Sequence, residues 1–189
     1  MNKALKSIGL VVVGLAVLVG SAQALLITAG TTTPALFGDN NSQSEINALI
    51  APLVGSTAFD YKGIPAGNTE DGPFASSYTT TYGIGGLDVA SFQITYDGGS
   101  FISGGDIYLL VKDGNNSPNW YLYDITGWNG QETIQGQNFF SNQGNLSHVS
   151  IYGNGGSRVP DGGMTLVLLG SSLTGLAFFA RSRKISRSK

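Results

Sequence analysis

His148 is the chain's one histidine, and cysteine is absent. Any imidazole-based acid–base or nucleophilic chemistry must therefore centre on His148. A serine-hydrolase arrangement would need a carboxylate behind the ring, for which Asp124 is the candidate, and one of many serines in front of it. No Gly-x-Ser-x-Gly elbow accompanies them. His148 falls in an alternating stretch, with Ser150 and Tyr152 on its own face and Val149 and Ile151 on the other. That pattern predicts a side chain at a strand surface or loop edge rather than a catalytic base. No catalytic residue is assigned, and the chain is read as non-enzymatic.

Metal chemistry fares no better. Without cysteine there is no thiolate zinc site and no disulfide. Oxygen ligands suited to calcium occur at Asp39-Asn40-Asn41-Ser42 with Glu45, and at Asp113-Gly114-Asn115-Asn116. Neither stretch has the spacing of an EF-hand loop, and Asn, Asp and Gly are also the residues that make turns. Glu45 is accounted for by a helix cap with Ser42. The glycine-rich runs at residues 83–86 and 153–156 lack the Lys-Ser/Thr and following helix of a phosphate cradle. The reading is no metal and no cofactor.

Aromatic side chains offer a third chemistry. Trp120, Tyr121, Tyr123 and Trp128 could form a stacking platform for a saccharide. Aromatics equally dominate cores, and alternation along one strand must turn about half of these inward. A secreted carbohydrate-binding module is the alternative functional reading that these four residues support.

The charges are unevenly placed. Seven of the ten basic residues lie at the two ends of the chain. Between Leu25 and Arg158 three basic residues face eleven acidic ones, a balance of −8. Nucleic acid is excluded as a partner, because phosphate binding needs clustered Lys and Arg. The 28 glycines, about twice the usual share of ~7%, predict many turns between short strands.

The elements follow from periodicity. Strands are expected at 25–27, 57–62, 74–82, 89–96, 106–112, 120–125 and 146–152. Asp97-Gly98-Gly99 marks one turn, and the segment 113–118 should join two strands as a hairpin. In 106–112, Ile107, Leu109 and Val111 share a face. In 120–125, Trp120 and Leu122 oppose Tyr121, Tyr123 and Ile125. With both faces apolar, these two strands should be central. One helix is expected within 40–54, with Ile46, Leu49, Ile50 and Leu53 as its buried face and Gly55 as its stop. The fold class is mainly β: an antiparallel, jelly-roll-like β-sandwich with one short N-terminal helix, a β-barrel being the alternative. The folded domain is expected over 25–152, with a Gly-rich linker at 153–158.

The ends carry their own signals. Lys3 and Lys6, the apolar run 8–19 and the small residues Ala22 and Ala24 make a secretory signal peptide over 1–24, cleaved before Leu25. At the other end Val159-Pro160-Asp161-Gly162-Gly163 precedes an apolar run from Met164 to Ala180. Its 17 residues span about 25 Å as a helix, just enough for a thin hydrocarbon core of ~30 Å. Then come Arg181, Arg183, Lys184, Arg187 and Lys189, which prefer the cytoplasmic side and act as a stop. Pro160 discourages helix upstream, so the motif should stay extended and accessible. An uncut tail anchor is the plain alternative.

The stretch from Val159 to Lys189 resembles the PEP-CTERM class of bacterial sorting signals in a Val-Pro-Asp variant. The commonest form has Glu after Pro, where this chain has Asp161. The segments 108–115, 120–125, 128–130 and 146–153 are similar to the β-rich passenger of one group of such proteins, which has no assigned activity. The resemblance implies export by signal peptidase and transient residence in the inner membrane. It further implies processing at the motif by an exosortase and a final place at the cell surface or among extracellular polysaccharides.

Overall fold

A computed structural model describes residues 24–83, 90–113, 117–140, 146–153 and 156–158. The apolar signal-peptide segment, the sorting motif 159–163, the run 164–180 and the basic tail lie outside the described residues. Among the described residues no helix is long and apolar enough to cross a membrane.

In chain order the elements are β1 (Leu25–Thr28), β2 (Leu36–Gly38), α1 (Gln43–Val54), β3 (Tyr61–Ile64), β4 (Thr69–Asp71), β5 (Tyr78–Tyr82) and β6 (Phe92–Tyr96). They continue with β7 (Phe101–Ser103), β8 (Ile107–Asp113), β9 (Trp120–Asp124), β10 (Ile134–Gln137), β11 (Leu146–Gly153) and β12 (Gly156–Arg158). A six-stranded sheet runs β2-β9-β8-β11-β3-β4, and a four-stranded sheet runs β1-β10-β6-β5. The small pair β12-β7 stands apart. Among the described residues the chain is thus mainly β, with two larger sheets, the small pair and one helix, as its patterning predicts. The pairing is antiparallel except for β1 and β10, which run parallel from Leu25↔Ile134 to Thr28↔Gln137. That pair corrects the purely antiparallel expectation. It is possible because the two strands lie far apart in the chain and need no tight turn.

Burial explains the layering. All seven residues of β8 are buried. Ile107, Leu109 and Val111 join Ile27, Phe92, Ile94 and Ile134 of the smaller sheet in the core between the sheets. Tyr108 and Leu110 point the other way, with Trp120, Leu122 and Tyr152, into a second core closed by Ile46, Ile50 and Val54 of α1. The molecule therefore has three layers: helix, six-stranded sheet, four-stranded sheet. A strand covered on both faces must be apolar on both, and β8 is the central strand expected from its sequence.

Two expectations about α1 are corrected. Leu49 and Leu53 are 47% and 39% exposed, and the buried row is Ile46, Ile50 and Val54. The helix touches the sheet along one i, i+4 row instead of a broad i, i+3, i+4 stripe, and this rotates Val54 inward. The cap differs as well. Ser42 is the N-cap residue, but its hydroxyl pairs with Ser44 Oγ at 2.6 Å and makes no bond to the helix backbone. Glu45 remains in the first turn, where the helix dipole favours a carboxylate. Gly55 ends the helix as expected, at φ +69°.

The segment 153–158 is only partly a linker. Gly153 closes β11, its N–H bonded to Asp60 Oδ2 at 2.6 Å. Residues 156–158 pair with β7, from Gly156↔Ser103 to Arg158↔Phe101. Backbone pairing does not depend on side-chain hydrophobicity, so a short Gly-Ser-Arg strand leaves no apolar signature.

Candidate functional site: an aromatic groove at the edge of the larger sheet

The four aromatics expected to form a platform are not brought onto one surface. Trp120 is fully buried on the helix side of β9. Gly38 lies against it so closely that a Cβ there would sit 2.8 Å from Trp120 Cζ2. Tyr123 is 1% exposed on the opposite face, within the core between the sheets. Trp128 is buried too, its indole N–H donating to the Glu132 carbonyl at 2.8 Å. Strict alternation along a strand covered on both faces separates Trp120 from Tyr121 and Tyr123. The exposed Trp120–Trp128 platform is thereby corrected to structural core, with Tyr121 alone half-buried.

Tyr121 belongs to a different feature. It is the direct cross-strand partner of Phe37 on the edge strand β2, with ring centroids 6.4 Å apart. Phe37 is 60% exposed. On its other sides Tyr121 meets Tyr123, Phe139 and Phe140 at 6.2, 6.1 and 5.5 Å. Between Phe37, Tyr121 and Tyr123 on one side and the loop 30–34 on the other lies a groove of about 350 Å³, completed by Pro118. That volume falls at the small end of the usual ligand-site range of ~300–1,000 Å³.

The loop that forms the far wall is held in place. It carries the chain from β1 in the smaller sheet to β2 in the larger one. Gly30 takes φ +81°, a turn conformation that few other residues adopt. Thr32 N–H donates to the Thr28 carbonyl at 2.8 Å, and Thr32 Oγ1 accepts from Thr28 N–H at 3.0 Å. Ala35 N–H closes the far end on the Leu122 carbonyl at 2.8 Å. Thr31 and Thr33 are left exposed at the groove's mouth.

Among the described residues the groove lining contains no charged residue. Burial first, then the charge of Asp39, holds the Tyr121 phenol above its ordinary pKa. Burial likewise pushes the Tyr123 phenol up, and its hydroxyl has no hydrogen-bond partner among the described residues. The arrangement suits a neutral ligand with both apolar and hydroxyl-bearing surface. Sequence reading found Tyr121 and Tyr123 but missed Phe37 and the loop 30–34. The available signal was a Thr-rich loop ending in Pro34 just before a large apolar residue.

His148 lies elsewhere and is 6% exposed, which corrects the expected strand surface. It sits in β11 opposite Lys112, with Nδ1 3.3 Å from Ser147 Oγ. Asp124 is opposite Tyr108. Four residues of β8, about 13 Å of strand, separate the two levels, so no Asp-His pair forms. Burial, and then Lys62 and Lys112, push the His148 pKa down from 6.5 to about 3. Below pH 6.5 the unfolded chain takes up a proton that the folded one refuses, so stability falls with pH until about pH 3. Going from pH 7 to pH 5 should cost about 2 kcal/mol from this group. Urea unfolding at the two pH values checks it, and His148→Gln should remove most of the difference.

Among the described residues no three His, Asp or Glu side chains gather to hold a metal ion. Asp39 instead uses its backbone carbonyl to accept from Asn119 Nδ2. Compared with known proteins, the chain matches no family model, no curated protein and no solved structure.

Proposed function

We propose that this is an exported, non-enzymatic surface or extracellular-matrix protein. In this reading signal peptidase removes residues 1–24, and an exosortase then processes the chain at Val159–Gly163 in the manner of a PEP-CTERM substrate. The observation that carries the reading is the order of the last 31 residues: short Pro-Asp motif, membrane-length apolar run, five cations. The placement of the described strands supports it. Among the described residues the first strand starts at Leu25, the residue after Ala22-Gln23-Ala24, and its N–H is bonded to the Thr133 carbonyl at 2.8 Å. The described strands run on to β12 at Gly156–Arg158, just before Val159 in the sequence. They thus lie within the stretch that both cleavages would spare. The jelly-roll-like assignment of the sandwich belongs to the same reading. It draws on the way the chain passes repeatedly between the two sheets, as in β9 to β10 to β11.

The tail is expected to act through two separable elements. Pro160 and Asp161 form the recognition element, while 164–180 with its cationic stop holds that element at the inner membrane. Each Arg or Lys drawn to the bilayer centre costs ~2.5–3.5 kcal/mol on insertion scales. Pro160→Ala should leave membrane anchoring intact and block processing. Replacing Arg181, Arg183, Lys184, Arg187 and Lys189 with serine should weaken retention while leaving the motif readable. Fractionation with immunoblotting separates the two, and a Pro160→Ala protein processed like its parent would reduce the tail to an ordinary anchor.

A further inference from the structure

We propose that the groove between loop 30–34 and the Phe37–Tyr121 pair binds a neutral saccharide. Three observations converge on that class of ligand. First, the walls alternate in chemistry. Phe37 and Tyr121 present ring surface, while Thr31 and Thr33 bring hydroxyls to the opposite side of the mouth. A pyranose has the complementary pattern, with an apolar C–H face that stacks on a ring and a rim of hydroxyls that needs hydrogen bonds. Second, the electrostatics select against charge. Among the described residues the lining has no cation to hold an acidic sugar, and Asp39 already acts on Tyr121 as a neighbouring negative charge. The folded domain as a whole is acidic, at −8 between Leu25 and Arg158. A uronic acid or a phosphate would be repelled.

Third, the site is formed in advance. The loop is pinned at both ends by the Thr28–Thr32 and Ala35–Leu122 bonds, so little entropy is lost on binding. Tyr123, a buried core residue, completes the lining. Phe37 is itself unusual, a 60% exposed aromatic on an edge strand whose ring is positioned by Tyr121. A proline-rich peptide would also use aromatic surface. The threonine hydroxyls favour the sugar.

The test uses the full-length protein in a detergent without a sugar headgroup. Probes are neutral glucan oligosaccharides, uronic-acid oligosaccharides and a proline-rich peptide, with binding read by calorimetry. The neutral oligosaccharides should bind. Phe37→Ala should weaken that binding about tenfold, the effect of losing one stacking face. Thr33→Val, which keeps the side-chain shape and removes one exposed hydroxyl of the lining, should weaken it about threefold to tenfold. Leu49→Ala, on the exposed side of α1, should leave it unchanged, and circular dichroism should confirm that all three variants fold. Absence of binding to the neutral panel overturns the proposal. So does tighter binding of the uronic acids or of the peptide, or neutral binding that neither Phe37→Ala nor Thr33→Val alters.

Discussion

Trp120→Ala is expected to destabilise the protein by about 4 kcal/mol, within the range for truncating a buried tryptophan. Trp120 is fully buried on the helix face of β9 and shares a core with Ile46, Ile50 and Val54 of α1. On the β2 side the indole meets Gly38, which has no side chain to swing into the gap. The cavity should therefore stay open and loosen α1 from the sheet. Urea unfolding followed by circular dichroism measures it. A loss under about 1 kcal/mol would mean that the helix is not clamped through this residue. Trp120→Phe should cost much less, because it keeps most of the apolar volume and removes an indole N–H that has no partner among the described residues.

Gly130→Ala should cost about 3 kcal/mol, from backbone strain and a steric collision together. Gly130 takes φ +77°, and a Cβ there would run into the Ile102 carbonyl oxygen and the Phe101 ring. The same spot is a polar junction. The Tyr78 hydroxyl donates to the Gly130 carbonyl at 2.8 Å and accepts from Ile102 N–H at 2.9 Å. Burial holds the Tyr78 phenol at a pKa of about 12, so it stays protonated and able to donate. Tyr78→Phe would leave both backbone groups without this partner, at about 1–3 kcal/mol. Thermal unfolding of the two variants separates strain from the lost bonds. If Gly130→Ala unfolds like the parent, the close approach to β7 is not a constraint on the fold.

The parts of the fold that were readable in advance are those with a measurable period. β8 and β9 have enough alternating residues to show two apolar faces, and the turn residues between them announce the hairpin. The helix was readable as an element, but its buried row was not. Leu49 and Leu53 are as apolar as Ile50 and Val54, and only the angle at which α1 meets the sheet separates them. β2, β4, β7 and β12 have three residues each, too few to display any alternation. The groove was half readable for the same reason. Tyr121 and Tyr123 stand in a long strand, whereas Phe37 reaches them through β2, and loop 30–34 is brought there by the parallel pairing of β1 with β10. The saccharide reading thus keeps two of its four aromatics and exchanges two tryptophans for Phe37 and a threonine loop.

Export and processing make up the central claim, and intact-mass analysis of the protein recovered from the surface of cells with a working exosortase tests it most directly. The mass should correspond to a chain that begins at Leu25 and ends within or near Val159–Gly163, without Arg181 to Lys189. A chain still ending at Lys189 in those cells would contradict the sorting reading, and one still carrying residues 1–24 would contradict the cleaved signal peptide.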